Sequence, residues 1–89
     1  MAFRDIHPQA PTHVLIIPKK HAAGVRDLGD EDMGIIADMH RVAQALAKKF
    51  DPNKNGFRMV VNNGPAAGQA VAHLHCHFLA GRLLAWPPG

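Results

Sequence analysis

Residues His73–Leu79 read His-Leu-His-Cys-His-Phe-Leu, with three imidazoles on alternate positions and apolar side chains between them. A period of two is the signature of an extended chain. Same-face neighbours there recur roughly every 6.5–7 Å, and the intervening side chains point to the other side. The stretch therefore predicts a strand with His73, His75 and His77 on one face and Leu74, Cys76 and Phe78 on the other. Such a strand needs a core behind it and leaves a row of ring nitrogens in front.

The neighbouring sequence supplies both. Upstream, Asn62–Gln69 (NNGPAAGQ) is a loop with Gly64 and Gly68, whose missing Cβ atoms allow backbone amides to turn toward an anion. It delivers the chain directly into the histidines. Before it, Phe57–Val61 has strand character, and Asp51–Gly56 (DPNKNG) is turn chemistry. From Asp30 to Lys49 the period changes to that of a helix, with Ile36, Met39, Ala43, Leu46 and Phe50 at steps of three and four. Asp30 is the expected N-cap, with Glu31 and Asp32 at the positive end of the dipole and Lys48 and Lys49 at the negative end. A second stripe of Ile35, Met39, Val42 and Leu46 widens the apolar face, and a partner subunit is expected to cover it.

At the front, His13–Ile17 (HVLII) is a β-branched run closed by Pro18, which predicts a buried strand covered on both faces. Met1–Ile6 forms another short strand. The connection between them, containing Pro8 and Pro11, is a turn or extended link, so the two strands make a hairpin. The sum is a single α+β domain over residues 1–89. It has an antiparallel sheet with one main helix packed on one face, over Leu74, Cys76 and Phe78.

Composition narrows the function classes. A chain of 89 residues hides roughly 60–65% of its unfolded surface, a small core that a second subunit would help to stabilise. With 47% hydrophobic and 19% charged residues and one cysteine, it is neither a disordered chain nor a disulfide scaffold. No apolar run reaches the roughly 18 residues that cross a bilayer, and the first residues lack the build of a secretion signal. A cytoplasmic protein with no membrane partner is expected. The net charge of +3 comes from scattered lysines and arginines, and four Phe, one Trp and no Tyr offer few stacking surfaces for bases. Nucleic acid is therefore not expected as a partner, and a small anionic ligand is.

Three readings of the histidine row compete. The rings are ordinary surface residues of an amphipathic strand, or a His-x-His pair ligates zinc, or one ring attacks phosphorus while its neighbours stabilise developing charge. The metal reading lacks an evident neighbouring thiolate or carboxylate, because Cys76 faces the core side. The catalytic reading explains why a glycine-containing loop precedes the histidines. No metal and no cofactor are expected.

HLHCHFL resembles the His-φ-His-φ-His-φ-φ signature of the histidine triad (HIT) superfamily, and GQAVAHLHCH at 68–77 with Ala-Gly-Arg at 80–82 is similar to its Hint branch. The likeness extends to AFRDIHPQAPTH at 2–13, IPKKH at 17–21, RMVVN at 58–62 and the closing WPPG at 86–89, and so covers nearly the whole chain.

The resemblance implies a purine nucleoside phosphoramidase acting through a covalent nucleotidyl-histidine intermediate, on a nucleoside monophosphate or phosphoramidate, in a homodimer. His75 is then the nucleophile. A backbone carbonyl at the first triad position fixes its tautomer, so His73 orients it. His77 contacts phosphate oxygens and assists the leaving nitrogen, and His13 is the supporting fourth histidine. Asp5 accepts from the ribose, and Phe3 and Ile6 wall the nucleoside pocket. Asn62, Gly68, Gln69 and Ala70 lie on the phosphate side, and Trp86 belongs to a tail that reaches a partner's site. His7, His21 and His40 are assigned surface or packing roles.

Two departures from the branch stand out. Ala70 replaces the usual serine after Gly-Gln and removes a hydroxyl near the phosphate. Members also carry a segment before the AFRDI stretch whose strand pair edges the sheet, so the N-terminal strands are expected to be missing here. A nucleotide-binding or scaffold protein with little catalysis is the rival that these departures favour.

Overall fold

A computed structural model describes all residues, Met1–Gly89. The chain builds four strands, one α-helix and three short 3-10 turns. The strands are β1 (Ala2–Arg4), β2 (Thr12–Ile16), β3 (Phe57–Val60) and β4 (Cys76–Ala80), and the helix is α1 (Gly34–Phe50). The sheet order is β1-β2-β4-β3 with every neighbour antiparallel, so the histidine-bearing β4 is central. This is the α+β architecture that the alternating and helical periods predict.

β1 and β2 form the expected hairpin, extended beyond the ladder by Asp5 N–H to His13 O (2.9 Å) and Ile17 N–H to Met1 O (2.8 Å). The Asp5 carboxylate also accepts from the His7 amide at 2.8 Å, which folds the chain back at the start of the Pro-rich link.

The pairings Val14 with Phe78 and Ile16 with Cys76 put these four side chains on the side that α1 covers. Phe78, Ile16, Leu74 and Cys76 are almost fully shielded, and Met39 and Ala43 descend on them from the helix. Phe57 stacks on Phe78, with ring centroids 4.8 Å apart, and closes that layer from β3.

Several expectations are corrected. Pro18 has no amide N–H, so β2 ends at Ile16 and the chain before Cys76 outruns its partner. The ladder of β4 thus starts at Cys76; His73 and His75 precede it, and Leu74 donates instead to Ala22 O at 2.7 Å. The alternation of burial nevertheless continues through residues 73–80. β2 is not covered on both faces either, because Leu15 shares the open face with His13 and His77.

Asp30 does not cap the helix. Asp30–Asp32 form their own 3-10 turn, Met33 takes the N-cap position, and Asp32 is drawn to Lys20 Nζ at 2.6 Å. Ile35, Val42 and Leu46 of the second helical stripe pack, half-buried, against the same core as Met39 and Ala43.

Candidate functional site

On the open face of the sheet, register brings His13 and Leu15 of β2 beside Leu79 and His77 of β4. Phe3 of β1 pairs with Leu15 and shares that face. His75 reaches it from just before β4, its ring 5.0 Å from that of His77 and nearly perpendicular to it. Two strands and one extended lead-in thus concentrate the imidazoles where α1 does not reach.

Their partners determine which ring nitrogen carries each proton. The His73 carbonyl can only accept, and it lies 2.7 Å from His75 Nδ1. His75 therefore holds its proton on Nδ1 and presents a bare Nε2. The Gln9 amide can only donate, and it lies 3.0 Å from His13 Nδ1, so neutral His13 is protonated on Nε2. That Nε2–H faces His77 Nδ1 at 2.8 Å, which makes His77 Nδ1 an acceptor and leaves its own proton on Nε2. One ring is wired as a nucleophile and its neighbour as a donor.

Burial lowers the pKa of His77, and the nearby rings of His75 and His13 reinforce the shift against weak opposition from Asp5. The His77 imidazole is accordingly held neutral at physiological pH. His13 is itself 5% exposed, so water cannot replace its protein partners.

His73 is held from two sides. Its Nε2 lies 3.3 Å from Pro18 O, an acceptor, so its Nδ1 is free to accept from His21 Nδ1 at 3.1 Å. His21 is exposed, as a surface or packing role implies, and its ring packs against that of His73. Only the fold brings the 17–21 segment alongside residue 73.

A cavity of about 310 Å³ opens beside these rings. It gathers Phe3, Asp5, Ile6, His73 and His75, which the sequence singled out, together with Leu15, Ile17 and Val71, which it did not. Its walls are chiefly apolar, and its polar lining is made by Arg4, Asp5 and the two histidines. A larger hollow of about 500 Å³ lies between the C-terminal end of α1 and residues 81–84. No imidazole lines it, and reactive groups rather than volume identify the site.

The 62–69 loop differs from its expected form. Gly64 and Gly68 do take positive φ, 90° and 89°, but the amides of Ala67, Gly68 and Gln69 bond within the loop around a 3-10 turn at Pro65–Ala67. Gln69 braces the loop, accepting from Gly64 N–H at 2.8 Å and donating to Ala23 O and Val71 O at 2.6 and 3.1 Å. Its side chain is turned into the loop instead of presenting itself to an anion. Asn63, not singled out by the sequence, accepts from the Arg26 amide at 2.7 Å, while Asn62 is half-buried and Ala70 exposed. Trp86 is 80% exposed and outside the cavity, its ring 6.0 Å from the Arg58 guanidinium.

Asp5, His13 and His77 bring three ligand-capable atoms within 4.8 Å of one another, so the sequence reading that no carboxylate stands near the histidines is corrected. The donor set nonetheless fits a metal poorly. Ligation through His13 Nε2 requires its proton to move to Nδ1, against the Gln9 N–H, or to leave the ring altogether.

The sequence model of the HIT domain matches residues 1–84. A Synechococcus elongatus protein described as an uncharacterized HIT-like protein is 45% identical over 89 residues, covering 100% of this chain and 77% of that one. The maize 14 kDa zinc-binding protein is 44% identical over 91 residues, covering 100% and 70%. Among solved structures, a HIT family hydrolase from Legionella pneumophila superposes with a TM-score of 0.94 at 49% identity, covering 99% of this chain and 79% of its own.

Proposed function

The chain belongs to the HIT domain family, and from that premise we propose that it is a purine nucleoside phosphoramidase, a nucleotide hydrolase working through a nucleotidyl-His75 intermediate. The observation that carries this reading is the 2.7 Å contact between His75 Nδ1 and the His73 carbonyl. It leaves the Nε2 lone pair as the nucleophile.

In the first step Nε2 bonds to phosphorus, the P–N bond breaks, and the amine departs with a proton from solvent. With Nδ1–H retained against the carbonyl, the phosphorus-bearing ring is cationic and a good leaving group in its turn. Water then attacks phosphorus, the P–Nε2 bond breaks and the water's proton returns to solvent, which releases the nucleoside monophosphate and restores neutral His75. His77, neutral and protonated on Nε2, donates a hydrogen bond to a phosphoryl oxygen as charge builds there.

Phe3 and Ile6 wall the nucleoside side of the cavity and Asp5 meets the ribose, while Asn62, Gly68, Gln69 and Ala70 border the phosphate side, Gln69 by shaping the loop. Trp86 and the exposed parts of α1 belong to a homodimer in this reading. Residues 1–89 act as one HIT domain in the cytoplasm.

Ala70 favours a second reading, nucleotide binding with little turnover, because no side-chain hydroxyl stands at that position. One experiment separates the two. Incubation with an adenosine 5′-phosphoramidate, followed by an alkaline quench and mass spectrometry, should find the nucleotidyl mass on His75 and none in His75→Ala. Turnover by the parent chain no faster than by His75→Ala, with nucleotide binding intact in both, establishes the binding protein instead.

A further inference from the structure

Arg82 lies beyond the end of β4, outside the cavity, and has no part in the chemistry described above. Its guanidinium donates twice to one carbonyl, Nε to Gln9 O at 3.0 Å and Nη2 to Gln9 O at 2.8 Å, and Nη1 closes on Leu83 O at 2.9 Å. Charge-assisted forked contacts of this kind fix position as well as distance.

The preceding residue makes the contact possible. Gly81 has φ of 100°, and a Cβ there would lie 2.9 Å from Pro11 Cβ, so only glycine lets the end of β4 press against the Pro-rich link. Gly81 and Arg82 together clamp residues 9–11.

Gln9 is also the residue whose amide donates to His13 Nδ1. Its carbonyl and its N–H flank one Cα, so holding the first places the second. That N–H puts the His13 proton on Nε2, which in turn puts the His77 proton on Nε2. Were Gln9 to move, only the Asp5 carboxylate, whose Oδ2 lies 3.6 Å from His13 Nε2, would still favour a proton there, and the opposite arrangement, in which His77 donates to His13 and offers a bare Nε2, would gain population. The donor of the proposed mechanism would become an acceptor facing a negatively charged group.

We propose that Arg82 is a positioning residue that sets the tautomer of His77 through Gln9 and His13. Its kinetic consequence rests on the hydrolase reading; the wiring itself does not.

The test uses the full chain labelled with 15N-histidine and observed without substrate. In the parent protein His77 should show a bare Nδ1 and a protonated Nε2. Arg82→Met should move both signals toward a common intermediate position and leave those of His75, which is held by the His73 carbonyl, unchanged. Gly81→Ala, which keeps the guanidinium but pushes the link away, should move His77 in the same direction, and Arg82→Lys should restore part of the parent pattern. On a phosphoramidate, Arg82→Met should lose on the order of tenfold to a hundredfold in kcat with little change in KM. Unchanged His77 signals in both Arg82→Met and Gly81→Ala overturn the proposal. Equal scrambling of His75 and His77 overturns it too, since that marks general loosening. Because the ring signals are read without substrate, they decide the wiring even if the parent chain hydrolyses nothing.

Discussion

His13 Nε2 lies 2.8 Å from His77 Nδ1, joining residues 64 positions apart across the two central strands. The side chains meet because β2 and β4 pair with His13 opposite Leu79 and Leu15 opposite His77, which sets the two imidazoles diagonally on the open face.

This contact makes His13→Ala a stronger test than its distance from the chemistry implies. The substitution frees His77 to choose its tautomer and leaves a hollow under the ring. We expect kcat on a phosphoramidate to fall on the order of a hundredfold, with nucleotide affinity changed far less. Steady-state kinetics beside equilibrium binding of adenosine monophosphate checks it, and equal losses in both would count against a role confined to the reacting geometry.

The lowered pKa of His77 has a consequence for stability. Its folded value lies below the 6.5 of the unfolded chain, so between the two values the unfolded chain binds more protons. Stability from this group is complete above about pH 6.5 and is lost as pH falls through that window. Denaturant titrations between about pH 5 and 8 should show a steeper acid-side decline in the parent chain than in His77→Gln. Parallel curves for the two proteins would exclude His77 as the source.

Cys76 should be chemically silent while the protein is folded. It is 1% exposed on the side facing α1, and burial raises its thiol pKa, so the reactive thiolate is both scarce and inaccessible. Labelling by a thiol reagent is expected to proceed at the rate of unfolding and to accelerate in denaturant. Fast labelling in native buffer would contradict the packing of β4 against the helix.

Phe78 is fully buried and stacks on Phe57, which makes it the costliest single truncation in the core. Phe78→Ala should remove about 3–5 kcal/mol, a large share of the total stability of a small domain. Chemical denaturation measures it, and a cost near that of a surface substitution would show that the helix does not seat on this strand.

Metal removal should leave turnover unchanged. The atoms that would have to ligate are engaged with one another, and His13 Nδ1 already accepts the Gln9 amide. Dialysis against a chelator followed by zinc addition tests this directly. Activity lost on chelation and restored by stoichiometric zinc would reverse the assignment of His13 and His77.

Much of the architecture was legible in local pattern. The period of two from His73 to Phe78, the helical period after Asp30 and the prolines between the first two strands each have a local steric cause, and each reappears in the fold. The bounds were less legible. Where β4 begins depends on Pro18 ending the neighbouring strand, an interaction between distant parts of the chain, and α1 begins only after a separate 3-10 turn at Asp30–Asp32 that the helical period does not announce.

What the residues determined by themselves is the class of chemistry on offer: imidazoles on one side of an extended segment, apolar groups on the other, and a glycine-shaped loop ahead of them. What only tertiary structure decided is the direction of each proton. Gln9, Arg82 and His21 lie in segments that carry the family likeness, but no spacing marks them as partners of the histidines, because a tautomer is set by whichever donor or acceptor the fold presses against a ring, and sequence spacing does not encode that proximity.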